Sequence, residues 1–217
     1  MAKTMTPGMA LDLFAVRAPR ILTDGWGARF CDSAHGDIWE RYPWPETLAG
    51  LTPFYLVYDL QGYGAPTISI PSDFDYLHEA YLANSNRQIR ELKVQRHLPT
   101  TDMSGFPTTI MYKEGQFLLH PRSSVSQPDW WVGGTYKKTP TKITNANLNS
   151  YTLPWEDKHF DVFRQGVEWR VKQYLGDRDW MASRQLFELL LEDMAVGEGL
   201  AAGPYVVSPS ESLELGG

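Results

Sequence analysis

Between residues 105 and 176 the hydrophobic period of the chain changes from two to about three and a half, and that change limits the folds open to it. The stretch GFPTTIMYKEGQFLLHP reads as a hairpin, with two apolar runs flanking KEGQ and Gly115 free to take the positive φ of a tight turn. WWVGGTYKKTP reads as a further strand, broken or bulged at Gly133-Gly134. A polar connector, TKITNANLNSYT, follows. LPWEDKHFDVFRQGVEWRVKQYLGD then places Phe160, Phe163, Val167, Val171 and Tyr174 at spacings of three and four, the stripe of an amphipathic helix. Gly176-Asp177 breaks it. Trp180, Phe187, Leu190, Leu191 and Met194 mark a second helix of about fifteen residues, stopped by Gly197 and Gly199. Strands handing over to helices, with no catalytic constellation on either side, point to assembly rather than chemistry.

Upstream, residues 1–52 read as mostly helical. Met9, Leu13 and Val16 fall near one helical face, and Phe30, Ala34 and Ile38, with Trp39 beside it, continue a stripe that Pro43 and Pro45 end. From 53 the period shortens. FYLVYDL and TISIP are strand-like and flank the turn cluster QGYGAP. SDFDYLHEAYLA reads as one or two helical turns with Ser72 as N-cap and Asp75 at N3, or as an irregular loop leading into a strand. NSNRQIRELKVQRHLP fits a strand with Leu92, Val94 and Leu98 on one face, or a helix pairing Ile89 with Leu92 and Arg96; its strand-like flanks favour the strand. The helices at the two ends need each other's apolar faces. The expected fold is therefore α+β: a helical bundle formed by 1–52 and 151–202, with a small antiparallel β domain, 53–150, inserted between them. Residues 203–217, GPYVVSPSESLELGG, bury too little to fold alone and are expected to form an extended tail. Its apolar groups, Tyr205, Val206, Val207, Leu213 and Leu215, are candidate docking anchors, the alternative being an end with no role.

Composition excludes several classes. A formal charge of −6 argues against nucleic-acid binding as the main activity. The single cysteine, Cys31, rules out an intramolecular disulfide framework and a multi-cysteine zinc site, and reads as a small buried hydrophobe on a helix. No run approaches a membrane span, and the N-terminus lacks the apolar core of a signal peptide, so a reducing cytoplasm is the expected place of synthesis. Eight Trp and eleven Tyr supply large buried areas with polar handles, which suits cores and interfaces alike.

No chemistry emerges from the motifs. His35, His78, His97, His120 and His159 form neither an HxH nor an HExxH pair, so no metal is expected. There is no G-x-S-x-G elbow and no phosphate loop, and the glycines of GYGAP precede a strand rather than a helix. The acidic pairs Asp73/Asp75, Glu156/Asp157 and Glu192/Asp193 are sequence neighbours, not carboxylates facing each other across a cleft; Glu156 and Asp157 suit the start of a helix. Neither catalysis nor a cofactor is expected. Arg87, Arg90, Lys93 and Arg96, interleaved with Glu91, read as a solvated strand face or half of a charged subunit interface. Trp130 and Trp131 join them as a candidate subunit or tail interface. The aromatic clusters Trp39–Trp44 and Trp130-Trp131 read as packing, with a carbohydrate platform as the other reading.

The ordered series WERYPWPE (39–46), TISIPSDFDYL (67–77), GFPTTIMYKEGQFLLHPRS (105–123) and LPWEDKHFDVFRQGVEWRVKQYLGD (153–177) resembles the head-to-tail adaptor proteins of tailed bacteriophages, in particular those similar to the tail tubular protein A group. The resemblance spans about residues 37–195 and lies in the order of the segments rather than in one motif. The chain departs from many members at TDGWG (23–27) and in its last fifteen residues. The resemblance implies a structural protein of the virion neck, assembled in the host cytoplasm as a ring, commonly of twelve copies. The ring would sit beneath the portal protein, extend the DNA channel without sequence-specific binding, and offer a platform to the tail or nozzle protein. A negatively charged ring would let DNA slide, and residues 204–217 would dock on the portal. A carbohydrate-binding or cell-wall-degrading tail module, and another neck component such as a stopper or tail terminator, are the alternatives.

Overall fold

Where the apolar stripe of residues 160–174 is unbroken, helix follows, and where β-branched and aromatic residues cluster, a sheet follows. A computed structural model describes residues 4–14, 18–56, 70–97, 105–113, 115–121 and 127–200. The chain divides into two units: the described residues of Met1–Glu46 and Pro140–Gly217, and those of Thr47–Thr139.

The first unit is helical. After two short 3-10 turns, Pro7–Ala10 and Asp12–Phe14, come α1 (Pro19–Thr23), α2 (Trp26–Arg41), α3 (Phe160–Leu175) and α4 (Trp180–Gly197). Phe163, Val167 and Val171 of the α3 stripe are fully buried, together with Ala34 and Ile38 of α2. Tyr174, at the end of the stripe, is half exposed and lies against Trp26 and Phe30 at centroid distances of 5.2 and 5.7 Å. Both α2 and α4 pack on α3 at Gly166, where a Cβ would stand 3.0 Å from the Phe187 ring and 3.1 Å from the Ala34 methyl. Gly176 ends α3 in the left-handed conformation, φ 70°, a helix stop that any other residue would adopt at a cost. The expected helix around Met9 is instead 3-10 turns. Its backbone is committed elsewhere: Gly8 N–H donates to Leu148 O at 2.9 Å, and Met5 O accepts from Leu153 N–H at 3.0 Å. Leu13's side chain and Val16 lie outside the described residues.

The second unit is a seven-stranded sheet, β1 (Leu48–Gly50), β2 (Phe54–Leu56), β3 (Phe74–Asn84), β4 (Ile89–Val94), β5 (Thr109–Lys113), β6 (Gln116–His120) and β7 (Gln127–Lys138), in the order β1-β7-β3-β4-β5-β6. β2 follows β1 along the same side of β7, with Leu48 opposite Lys137 and Tyr55 opposite Trp131. The pair β4–β5 is parallel and the others are antiparallel. The sheet curls until its two ends meet: Phe54 of β2 stacks on Phe117 of β6 at 5.7 Å. Leu77, Leu82, Leu92, Ile110 and Val132 fill the core thus enclosed.

This overturns the expectation of a helical bundle carrying a small antiparallel β domain. The chain is mixed α and β; the sheet has seven strands, one parallel pair and a core of its own, and the four helices described belong to the other unit. The largest difference is at SDFDYLHEAYLA (72–83): one or two helical turns, or a loop leading into a strand, are expected, and the long strand β3 starts already at Phe74. The register of β3 against β7 slips at Asp75 and again at His78. Each extra residue breaks the period-two alternation, so the buried positions Leu77, Ala80 and Leu82 take a spacing of three, then two. No break is found at Gly133-Gly134; the register irregularities lie at Asp75 and His78 in β3, and where β2 meets β7 between Tyr55 and Leu56. Of the expected strand TISIP (67–71), residues 67–69 lie outside the described residues.

Candidate functional site

The candidate anchors Tyr205, Val206, Val207, Leu213 and Leu215 lie outside the described residues. The candidate interface is spread over several places in the sheet. Arg87, at φ 61°, is in the β3–β4 turn, and Arg96 lies just beyond β4; both are exposed. Arg90 points with Leu92 toward the core side, its guanidinium 4.6 Å from the Phe106 ring centroid and 5.4 Å from that of Trp130, a cation–π arrangement. Lys93 takes the opposite face by strand alternation. The same alternation separates the two tryptophans: Trp130 is buried against Phe106, and Trp131 is half-buried beside Tyr55.

On that outer face the register sets an apolar row across four strands. Tyr55 is opposite Trp131, Trp131 opposite Ala83, and Ala83 opposite Ile89. Tyr55 is 60% and Ile89 70% exposed, values that leave the two ends of the row to solvent. Tyr81, 38% exposed, lies beside the row, its ring over the space that a side chain at Gly133 would occupy.

Helix α4 is apolar on two sides. Phe187, Leu191, Met194 and Ala195 face the helical core. Leu186, Leu189 and Val196, spaced by three and seven, lie on the opposite side and are 45%, 63% and 41% exposed. A helix with apolar groups all round is normally covered on all sides. The stripe expected from the sequence, Trp180, Phe187, Leu190, Leu191 and Met194, is one of the two. The second was visible as excess: LFELLL at 186–191 holds five apolar residues in six, more than one face accepts.

One cluster of metal-ligand type occurs among the described residues, Glu156, His159 and Glu198. Its chemistry is that of an ion-pair network. Lys158 Nζ stands 2.9 Å from Glu156 Oε2 and 3.1 Å from Glu198 Oε1, between the two carboxylates, and His159 Nε2 is 3.1 Å from the same Glu198 oxygen. The Lys158 hydrogen bond holds Glu156 below its ordinary pKa; for Glu198 the His159 bond leads and the Lys158 bond adds to it. Asp157, lowered by hydrogen bonds from Thr4, fastens the N-terminal segment to the same turn, Thr4 N–H donating at 2.9 Å and its hydroxyl at 2.8 Å.

Two deeply buried titratable groups are on α2. Cys31 Sγ lies 3.5 Å from Pro7 O, and burial, with Asp32 nearby, pushes the thiol up to about 12, which leaves it an inert core group. His35 is 1% exposed and enclosed by Trp39, Tyr151 and Trp155, with ring centroids 5.3, 5.8 and 5.8 Å away. Its Nδ1 has no hydrogen-bond partner in the protein. Burial lowers its pKa from 6.5 to about 4, against the opposing pull of Asp32. As pH falls below 6.5 the unfolded chain takes up a proton that the folded chain refuses until about pH 4. Acid therefore favours unfolding across that window, by up to roughly 3 kcal/mol. Urea unfolding at pH 7.5 and pH 4.5 should show that loss, and His35→Phe should show a smaller one. An equal loss in both proteins would contradict this role for His35.

No family model matches the sequence, and comparison with curated proteins finds no match.

Proposed function

We propose that the chain is a structural component of a bacteriophage neck, a head-to-tail adaptor whose copies form a ring beneath the portal, continue the DNA channel and receive the tail. The observation that carries this reading is the second apolar side of α4, where Leu186, Leu189 and Val196 stand exposed on a helix whose other side is already in a core. Such a helix suits a subunit that is completed by its neighbours. The ordered segments at 37–195 supply the neck, and the distribution of charge agrees with a channel. Acidic residues outnumber basic ones in the helical unit, while the two balance between Thr47 and Thr139, so the net −6 belongs to the helical unit. A surface of that sign repels the phosphate backbone and lets it slide.

Capture of the purified chain by an immobilised portal ring from the same phage tests the reading. Binding is expected. Deleting residues 204–217 is expected to weaken it by roughly tenfold or more, because each copy in the ring would lose its own anchor and the losses multiply. Normal capture by the shortened chain would remove the tail from the account. No capture by the full chain would remove the adaptor.

A further inference from the structure

Residues 4–11 cross the helical unit as a segment whose one regular element is the 3-10 turn Pro7–Ala10. They run antiparallel to residues 148–157. Thr4 N–H and its hydroxyl donate to the Asp157 carboxylate at 2.9 and 2.8 Å, Leu153 N–H donates to Met5 O at 3.0 Å, and Gly8 N–H donates to Leu148 O at 2.9 Å. Gly8 lets the segment lie flat on its neighbour, since a Cβ there would stand 1.8 Å from Asn149 Oδ1. Another side rests on α2. Pro7 O lies 3.5 Å from Cys31 Sγ, and Leu11 fills the space beside Gly27, whose Cβ would meet it at 2.7 Å. Cys31 beneath is fully buried.

Two backbone hydrogen bonds and the Asp157 contact thus fasten this segment, whereas α2, α3 and α4 each carry a continuous ladder. The bonds inside the segment, Met9 N–H to Thr6 O and Leu11 N–H to Gly8 O, survive if it moves as one piece. Segments with few bonds to their surroundings open at a lower free energy than the whole fold. We propose that residues 4–11 are a strap that lifts as a unit from an otherwise intact helical unit, with Asp157 as its catch, and that lifting uncovers Cys31. Lifting exposes Pro7, Ala10 and Leu11, all buried when the strap is down, and this keeps the closed state dominant. Closed, the strap leaves the thiol inert and pushed up to about 12; lifted, it returns the thiol to water and to the ordinary range for cysteine. The proposal concerns the helical unit alone and does not rest on the adaptor reading.

Thiol labelling of the full chain reads the strap directly, because Cys31 is its single cysteine. With excess aromatic disulfide reagent at mildly alkaline pH, Cys31 should react in the folded chain, at a rate nearly independent of urea until the global transition begins. Thr4→Ala removes one bond to the catch and leaves the start of α3 untouched. It should speed labelling by about three- to tenfold. Asp157→Asn should act in the same direction, and the two together should gain less than the product of their separate effects, because both break one contact. Amides of α3 and α4 should keep the parent's protection from hydrogen exchange in Thr4→Ala, which separates lifting of the strap from loosening of the helices. Labelling that follows global unfolding alone, rising with urea from the lowest concentrations at the equilibrium slope, overturns the proposal. So does a Thr4→Ala rate equal to the parent's, which would put the opening over Cys31 somewhere other than the strap.

Discussion

Gly134→Val is expected to unfold the sheet unit. A Cβ at that position would lie 2.2 Å from Glu79 O and 3.0 Å from Ala80 Cα, both backbone atoms of β3. Side chains can rotate away from an intruding group, but these atoms can move only if the pairing of Gly134 with Ala80 and of Thr135 with Glu79 is given up. Overpacking of side chains usually costs about 1–3 kcal/mol. A clash with the backbone of the central strand pair belongs with the rare substitutions above about 4 kcal/mol. Hydrogen exchange reads it directly: amides of β3 and β7 should lose protection while those of α2, α3 and α4 keep theirs, because the two units have separate cores. Gly36→Ala serves as the control. Its Cβ meets nothing within 4 Å, and it lies inside α2, where alanine is favoured over glycine by about 1 kcal/mol. Native protection of β3 and β7 in Gly134→Val would show that the two strands are not this close.

Trp44→Ala is the corresponding test of the helical unit, with an expected loss of about 3–5 kcal/mol. The ring is fully buried, it lies edge-on to Tyr42 and Trp155 at 5.2 and 6.0 Å, and its Nε1 donates to Ile38 O near the end of α2. Replacement removes a fully buried indole from the core and leaves a late helix carbonyl without this donor. Trp44→Phe keeps most of the packing and loses the donor, so it should cost distinctly less. Denaturant unfolding of the three proteins separates the two contributions, and equal losses for alanine and phenylalanine would mean that the hydrogen bond alone matters.

What was legible in the sequence was what depends on one face at a time. The α3 stripe was readable because Phe163, Val167 and Val171 all face the same core, and the β5–β6 hairpin because Gly115 stands at its turn with φ 83°. The aromatic cluster from Trp39 to Trp44 was read as packing, and both tryptophans are buried. Long-range arrangements were hidden. The two slips in β3 disguised a strand as helical spacing, and nothing local marks 48–50 and 54–56 as two parts of one sheet edge. The polar connector after residue 140 concealed Ile143, which is buried in the helical core with its N–H held by Asp32 Oδ1 at 2.7 Å. As for the site, strand alternation sends Arg90 and Lys93, and Trp130 and Trp131, to different sides. The exposed row with Tyr55 and Ile89 depends on cross-strand register, which a single sequence does not display.

The proposal of a ring of copies at a head–tail junction is tested most directly by cryo-electron microscopy of the neck in purified phage particles that contain the chain. The account predicts a ring of this fold against the underside of the portal. Particles that lack the chain, or that carry it as isolated copies at the tail tip, would contradict it.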